Sequence, residues 1–309
     1  MIAAVQRYFA DLNAAVGAAW NRFWYAPAAA APLGLVRAAT GALAFYAVAS
    51  YGPDLIHWFD AQGMLPVSTV RELYPDQYSL LDYVSGSGLW AVFAAALVAT
   101  GALALGVGGR IAAVAALVLT LSFFHRAPLL TGEFEAVLAF LLAYQCLGRG
   151  GDAFSLAAWW RTKQGKPPAP PAASNRVALR LIQVHIAVVH AMMAVAMFAA
   201  PGGVWFSGEG LWLAAATPGA SLIDVTSWSE HTKIIALASH AVTAYFVAFP
   251  WLAWNSRVRP LLLAVAAGVW VVLAILTGSP TFCLAMAAGM AAFTPAAWLT
   301  SPAADGDAS

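Results

Sequence analysis

Residues 259–277 read RPLLLAVAAGVWVVLAILT, a run whose one charged residue is its first. A helix of about 20 apolar residues crosses a hydrocarbon core of roughly 30 Å. Similar windows recur along the chain, and two of them are short. The sequence therefore predicts an all-α polytopic membrane bundle of about eight transmembrane helices plus interfacial helices, with windows at 33–50, 87–107, 111–125, 132–148, 178–200, 233–254, 259–277 and 280–299.

The composition of the whole chain favours the same class. Of its 309 residues, 62% are hydrophobic and 9% are charged, and the mean hydropathy is +0.75. Soluble domains are about 45–50% apolar and about 25% charged. A net charge of +1 without a basic stripe argues against a nucleic-acid partner and leaves the lipid bilayer as the predicted one. Cys146 and Cys283 lie far apart in apolar windows and form neither a redox nor a zinc pattern.

The chain divides into three predicted parts. Residues 1–30 scatter polar groups among small apolar residues, which predicts an N-terminal amphipathic interfacial segment and no cleaved signal peptide. Residues 31–299 form one transmembrane domain with a Pro-rich linker at 164–175, and residues 300–309 are predicted to be a disordered tail. Within 201–232, the segment GLWLAAA is too short to span and predicts an interfacial or re-entrant helix.

The basic residues predict the orientation. If the N-terminus is cytoplasmic and eight spans alternate, ten of the 15 Lys and Arg residues lie in cytoplasmic segments, three in outer segments and two within spans. The positive-inside rule supports this arrangement, in which both termini are cytoplasmic. The Ala-rich, Lys-poor composition favours a bacterium, so the predicted location is a bacterial inner (plasma) membrane.

Residues 122–135, SFFHRAPLLTGEFE, concentrate polar groups in a chain that has few. One interpretation is local: Thr131 caps the fourth span, and the two glutamates occupy first turns where the helix dipole favours an anion. The other is that Arg126 pairs with a glutamate and leaves His125 or the second carboxylate facing a cavity. On that interpretation, His125 and Glu133 are candidate catalytic residues and Arg126 is a candidate cofactor-binding residue.

The fifth span, 178–200, is the most polar. Arg180, Gln183 and His190 share one face at helical spacing, and His185 points roughly opposite. Arg180 lies near the cytoplasmic end and can also snorkel. Gln183 and His190 lie deeper, which indicates either a site or hydrogen bonds between helices. His190 is therefore a candidate catalytic residue, and Arg180 and Gln183 are candidate cofactor-binding residues.

His240, in the sixth span, is a candidate cofactor-binding residue or a packing donor. Clustering of His240 with His125 and His190 could form a metal or proton-relay site, but the three lie in separate spans and HExxH is absent. No metal site is predicted.

A set of ordered segments resembles the HTTM domain family, the membrane domain of vitamin K-dependent gamma-carboxylase and its bacterial relatives. The resemblance covers roughly residues 30–298. It implies an all-helical membrane domain with a lipophilic cavity, which in the carboxylase holds a reduced quinone beside a glutamate substrate. Trp205 and Glu209, in the last segment, join the candidate cofactor-binding residues. The segments are PLGLVRAATGAL, IHWFDAQGMLP, SFFHRAPLLTGEFE, LGRGGDAFSL, RLIQVHIAVVH and VWFSGEGLW.

Departures from the family pattern shape the functional hypotheses. The catalytic lysine of the carboxylase falls on Ala199 or Ala200 here, His190 stands where a Tyr is common, and a His of the penultimate span is replaced near Trp270. The propeptide-recognising soluble domain has no counterpart. The first hypothesis is therefore a quinone- or lipid-binding membrane protein that is not a gamma-carboxylase, with quinone-dependent oxidoreductase or carboxylase-like chemistry left open. A catalytically silent subunit or assembly partner of a membrane complex is the second. A small-solute transporter is the third, and it lacks the expected internal repeat.

Overall fold

The computed structural model describes residues 2–217 and 221–299, and they form an all-helical bundle, as predicted. Within this part of the chain, extended backbone pairs at one point, an antiparallel bridge between Ala28 and Ala172. The helices are, in chain order, α1 (Ile2–Tyr25), α2 (Ala31–Ser50), α3 (Leu55–Phe59), α4 (Val67–Leu73), α5 (Ser87–Leu105), α6 (Gly109–Arg126), α7 (Glu133–Gln145), α8 (Leu156–Lys163), α9 (Ala173–Ala199), α10 (Val204–Ser207), α11 (Gly210–Ala216), α12 (Thr232–Leu252), α13 (Arg259–Thr277), α14 (Pro280–Met290) and α15 (Ala296–Leu299).

Six helical segments of the described chain are long and apolar enough to cross a membrane. The other two predicted windows form shorter helices: α7 has 13 residues and α14 has 11. At 1.5 Å per residue these are about 20 Å and about 17 Å long, less than the roughly 30 Å of a hydrocarbon core. Helix length therefore does not support the predicted count of about eight. The six are Ala31–Phe59, Ser87–Leu105, Gly109–Arg126, Ala173–Ala199, Thr232–Leu252 and Arg259–Thr277.

The two short helices lie in the centre of the bundle, where they pack against each other and against α2 and α9. Gly289 of α14 permits this approach, because a Cβ there would lie 2.3 Å from Cδ1 of Ile186 on α9. On α7, Leu138, Leu141 and Leu142 are completely buried. A helix surrounded by protein need not match the bilayer thickness, since its ends can meet protein instead of lipid.

Arginine side chains tie the helices together at one end of the bundle. Arg110, at the start of α6, donates from Nη2 to the carbonyl oxygen of Leu147 (2.8 Å) and from Nε to that of Gly148 (3.3 Å), just beyond α7. Arg37 of α2 is buried and donates to two carbonyl groups at the end of α5. The chain leaving α7 therefore reaches the level at which α6 begins.

Helix α1 occupies most of the predicted segment 1–30 and attaches to α9 through its last turn. Nε of Arg176 donates to the carbonyl of Ala26 (2.9 Å), and Nε of Arg180 donates to that of Phe23 (3.1 Å). Most of α1 before this turn is exposed. Its interfacial location remains a prediction, and the predicted disordered tail at 300–309 lies outside the described residues.

The predicted short helix GLWLAAA is present as α11, which has seven residues. It packs against α12 and α13 through the buried side chains of Leu211 and Ala215. Trp212 donates from its indole N–H to the carbonyl of Val225 (2.9 Å) and so holds the following chain. The interfacial or re-entrant position of α11 remains a prediction.

Candidate functional site

An apolar groove of about 960 Å³ lies between α7, α9 and the corner joining α13 to α14. Its walls include Phe140 and Phe282 together with Met192 and Met193. The polar residues that line it are Glu133, His185, Thr277 and Ser279. A concave, mainly apolar site with a few polar groups is the usual form of a small-molecule site.

The groove follows from residue spacing on two facing helices. On α7 the lining residues recur every three or four positions from Glu133 to Phe140, and on α9 they do so from His185 to Ala196. Alanines at 136, 139 and 196 are too small to fill the space between the two stripes. Two adjacent methionines on α9 add flexible side chains to one wall.

His185 is the polar side chain within the body of this groove. Its ring stacks on that of Phe140, with centroids 3.5 Å apart and planes 16° apart. Its Nδ1 lies 2.9 Å from the hydroxyl of Tyr144, one helical turn further along α7. If the hydroxyl donates, the hydrogen of the neutral ring lies on Nε2. Nε2 has no hydrogen-bond partner within the described chain, so it remains available to a ligand.

Glu133 lies at one end of the groove, at the first position of α7. The helix dipole favours a carboxylate there. The neighbouring Glu135 is engaged differently, because its Oε2 accepts a hydrogen bond from the backbone N–H of Gly132 (2.8 Å). Phe140 follows Glu133 by seven positions, which is about 10 Å along the helix. Glu133 is exposed, so the groove pairs a carboxylate at its rim with an imidazole deeper inside.

His190, a predicted catalytic residue, lies instead in a closed network on the opposite side of α9. It is completely buried, with Nδ1 2.8 Å from the carbonyl of Ile186 and Nε2 3.0 Å from the hydroxyl of Tyr245. A carbonyl only accepts, so these partners assign the hydrogen to Nδ1. The Tyr245 hydroxyl then donates to Nε2 and accepts from the indole N–H of Trp270 (3.1 Å). Both nitrogens of His190 have partners in the protein.

Arg180 and Gln183 also have partners in the protein. Nη1 of Arg180 donates to Oε1 of Gln183 (2.9 Å), and Nε2 of Gln183 donates to the carbonyl of Ala292 (2.7 Å). The Arg180 guanidinium lies 4.3 Å from the ring centre of Phe23 and 5.5 Å from that of Trp254. These contacts join α1, α9, α12 and the chain after α14, away from the groove.

The expected pairing of Arg126 with a glutamate is not formed within the described chain. Arg126 is completely buried, its Nη2 donates to the carbonyl of Asp60 (2.6 Å), and its Nε lies 3.9 Å from Oδ1 of Asp82. His125 places Nδ1 2.9 Å from the carbonyl of Tyr78. Both side chains thus hold segment 51–86 against the end of α6, where Asp82 approaches the buried charge.

The N-cap of α7 is not Thr131, the residue that the local interpretation predicts. Gly132 occupies the N-cap position, and Glu135 accepts its N–H. The hydroxyl of Thr131 donates to the carbonyl of Pro128 (2.7 Å), which stabilises the preceding turn. Glycine has no side chain that could accept a hydrogen bond from the first turn. The N-terminus of α7 is instead stabilised by the hydrogen bond from the Gly132 N–H to the Glu135 carboxylate.

Asp60 organises segment 51–86 with its side chain as well as its backbone. Its carboxylate accepts from the N–H of Gly86 (3.0 Å) and from the N–H of Gln62 (3.1 Å). These two hydrogen bonds, with a smaller contribution from the charge of Arg126, hold the pKa of Asp60 below its usual value. The carboxylate therefore fixes both ends of a loop of more than 20 residues.

Trp205, Glu209 and His240 lie together at a different corner, where α10, α11 and α12 meet. A Cβ on Gly210 would lie 2.4 Å from the Trp205 ring, and one on Gly208, where φ is +89°, would lie 2.5 Å from Ala236. The two glycines therefore allow close packing. Glu209 and His240 are exposed, and none of the three candidates lines the groove.

The residues that the structure describes contain no group of three or more His, Cys, Asp or Glu side chains placed to hold a metal ion. His125 and His190 each use Nδ1 on a backbone carbonyl.

Of the predicted candidates, Glu133 alone lines the groove. The sequence did not single out His185 and Phe140, which also line the groove, or Tyr144, which is hydrogen-bonded to His185. A signal was present in the sequence: His185, Met192 and Ala196 recur at helical spacing, as do Phe140 and Tyr144. The matching stripes become a site only when the helices are known to face each other.

Comparison of the chain with protein-family models, curated proteins and solved structures finds no match in any of the three. Function is therefore inferred from the geometry of the groove.

Proposed function

We propose that this integral membrane protein binds a lipophile with a polar head group, such as a quinone, in the groove between α7 and α9. The observation that carries the proposal is an apolar volume of about 960 Å³ beside the unpartnered Nε2 of His185. The volume lies within the range of roughly 300–1,000 Å³ typical of ligand pockets.

The chemistry of the groove suits a flat head group on a hydrocarbon tail. The stacked rings of His185 and Phe140 offer a flat surface, and an N–H at Nε2 can donate to a carbonyl oxygen. Met192 and Met193 are unbranched and adapt to an irregular tail. The groove itself offers no fixed positive charge, which favours a neutral head group.

The HTTM resemblance supports the same class of ligand but not the carboxylase reaction. Ala199 or Ala200 occupies the position of the family's catalytic lysine, and a methyl group cannot act as a base. We therefore propose a lipophile-binding protein that is not a gamma-carboxylase. Quinone-dependent oxidation or reduction is the enzyme class that fits this site.

A second candidate function is that of a catalytically silent subunit of a membrane complex. The observation in its favour is that both ring nitrogens of His190, and the amide oxygen and one amide N–H of Gln183, have hydrogen-bond partners in the protein. In this case the groove holds a structural lipid, and its occupant is an ordinary membrane component.

We also propose eight crossings of a bacterial inner membrane, with both termini cytoplasmic. The contact of Arg110 with the chain after α7 supports a crossing there. The rings of Phe293 and Trp254, 5.6 Å apart, place the chain after α14 beside the end of α12. A cysteine at Lys166 should react with an impermeant maleimide only after permeabilisation, and one at Leu129 should react in intact cells. The reverse pattern would exclude this orientation.

The groove is tested by filling it. Ala139→Trp places a large ring between α7 and α9, and Ala264→Trp adds the same ring to an exposed position of α13 as the matched control. Both variants and the unsubstituted protein are purified in mild detergent, and their bound lipophiles are extracted and quantified by mass spectrometry. We expect near-stoichiometric quinone in the unsubstituted protein and the control, and its loss from Ala139→Trp.

Two results would count against the proposal. Equal lipophile content in Ala139→Trp and Ala264→Trp would show that the groove does not hold it. Common phospholipid in the groove with no enrichment of quinone would favour the silent subunit. Folding of each variant is checked by size-exclusion chromatography.

A further inference from the structure

A second, polar pocket of about 440 Å³ lies at the arginine-tied end of the bundle, between the start of α6, the end of α7 and residues 148–152. Four arginines line it with one acidic residue, Asp152, whose Oδ1 lies 3.3 Å from Nη2 of Arg161. The arginines are Arg37, Arg110, Arg149 and Arg161. The pocket is therefore an electropositive site on the face that we propose to be cytoplasmic.

Gln145 lines this pocket and is the strongest evidence that something binds there. Its side chain is 3% exposed, yet neither its amide nitrogen nor its amide oxygen has a hydrogen-bond partner in the described chain. Leaving a buried polar group without a hydrogen-bond partner is destabilising. The amide has two N–H donors and one oxygen acceptor, so a ligand that satisfies it offers both an acceptor and a donor.

Two positive groups in the pocket remain available to an anion. The guanidinium of Arg149 forms no hydrogen bond or ion pair with the residues described, whereas Arg37 and Arg110 already donate to backbone carbonyls. Helix α6, 18 residues long, begins at Gly109 beside the pocket with no side-chain cap. The first N–H groups of a helix lack intrahelical acceptors and favour phosphate.

The polar pocket continues into an apolar groove of about 510 Å³ along the outside of α6. Arg110 and Ile111 line both spaces, and Val114, Ala115 and Val118 continue the groove along the helix. Ile111 is 83% exposed, so this face of α6 is open to lipid in a membrane. A phosphate site that opens onto a hydrocarbon-lined groove matches an amphiphile and not a free phosphate.

We propose that this pocket binds an anionic phospholipid, with its phosphate near Arg149 and Gln145 and an acyl chain along α6. The amide N–H of Gln145 donates to a phosphate oxygen, and a head-group hydroxyl donates to its amide oxygen. Phosphatidylglycerol has both groups. Phosphatidylcholine has the phosphate but neither a net negative charge nor a hydroxyl donor on its head group.

The test measures lipid retention by native mass spectrometry after exchange into equimolar phosphatidylglycerol and phosphatidylcholine. We expect preferential retention of phosphatidylglycerol. Gln145→Glu keeps the size of the side chain but adds a negative charge, and we expect it to weaken retention about tenfold. For Arg149→Gln we expect about a fivefold loss. Arg257→Gln removes an exposed arginine outside the pocket and is the matched control, for which we expect no change.

Several outcomes overturn the proposal. Equal retention of the two lipids excludes selection for a negative charge, and unchanged retention in Arg149→Gln excludes this pocket as the site. Competition by soluble glycerol phosphate at millimolar concentration, with no dependence on acyl chains, would assign the pocket to a soluble phosphate compound. If Gln145→Glu does not fold, Arg149→Gln decides the question, because the Arg149 side chain is exposed and forms no hydrogen bond or ion pair with the residues described.

Discussion

His185 and His190 lie five residues apart on α9 and about 140° apart around its axis, yet their surroundings differ completely. His190 is completely buried, both of its ring nitrogens have partners, and its ring stacks on Phe249 with centroids 3.9 Å apart. His185 is partly buried, uses Nδ1 on Tyr144 and keeps Nε2 free beside a groove. The comparison teaches that burial alone does not identify a functional polar group in a membrane protein.

What separates the two histidines is whether the protein completes their hydrogen bonds. A complete set inside the bundle stabilises one arrangement of helices and leaves nothing for a ligand. An incomplete set beside a space is a binding position, because a ligand can supply the missing partner. The same criterion separates Arg180, whose contacts hold α1, from Gln145, whose amide is unsatisfied.

The largest expected effect comes from removing each histidine in turn. His190→Ala leaves a cavity and removes the hydrogen bond between Nε2 and the Tyr245 hydroxyl, and we expect it to lower the free energy of unfolding by about 3–5 kcal/mol. For His185→Ala we expect a loss of about 1 kcal/mol, since one hydrogen bond and one ring contact disappear at a partly exposed site. Thermal unfolding followed by size-exclusion chromatography measures both.

Lipophile content should rank the same variants in the opposite order. Among molecules that remain folded, His190→Ala should retain the bound lipophile and His185→Ala should lose it. Equal stability of the two variants would show that the His190 network does not stabilise the bundle. The distinction between a structural His190 and a ligand-binding His185 would then be wrong.

The tyrosine partners give a smaller and more selective test. Tyr245→Phe removes one hydroxyl that bonds both His190 and Trp270, and we expect a loss of about 1.5 kcal/mol, near the top of the range for hydrogen bonds in membranes. Tyr144→Phe removes one bond to His185, and we expect about 0.6 kcal/mol. Both changes delete a single oxygen, so each is the control for the other in a chemical-denaturation series. A larger loss for Tyr144→Phe would reverse the roles assigned to the two networks.

The sequence predicts the helices well, because long apolar windows identify membrane helices without knowledge of packing. Window 259–277 and helix α13 have the same bounds, and window 87–107 differs from α5 by two residues. The lengths of α7 and α14 are not predictable in this way. Window 132–148 continues past α7 into turn residues, and window 280–299 continues past α14 across a break at 294–295 into α15. Non-helical backbone at membrane depth is tolerated only when protein or water surrounds it.

The site is harder to predict, for a physical reason. In a soluble protein the polar face of a helix is its surface, but polar side chains on a membrane helix usually face the bundle, and on α9 they occur on both the buried face (His190) and the groove face (His185). Helical spacing predicts His190 and Gln183 on one face of α9 and His185 opposite, and the structure has the same arrangement. The clustering of polar groups on the His190 face favours that face as the site. That clustering instead forms hydrogen bonds between helices, and the groove depends on α7, whose orientation a single sequence does not reveal.

The carboxylate of Asp60, which lies outside the candidate spans, is expected to show the weakest effect. Asp60 resembles His190 in having complete partners, since its carboxylate accepts the N–H groups of Gly86 and Gln62. Its pKa is lowered by these bonds, so its contribution to loop stability is fully present above the unfolded pKa of about 3.9 and is lost as pH falls through the lower folded value. We expect hydrogen exchange at Gly86 and Gln62, corrected for intrinsic rates, to rise in that acidic range. Asp60→Asn retains one oxygen acceptor and should lose one of the two protections at neutral pH.

Asp224 is the control for this prediction because its pKa is also lowered, by the hydroxyl and N–H of Thr226, but its contacts stay within three residues. Asp224→Asn should therefore leave exchange at both Gly86 and Gln62 unchanged, whereas Asp60→Asn should raise it at one of the two. If both substitutions leave segment 51–86 protected, the contacts of His125 and Arg126 hold it, and the carboxylate of Asp60 is dispensable. Complete hydrogen bonding would then mark a structural role inside the bundle but not at its surface, where water can replace a lost partner.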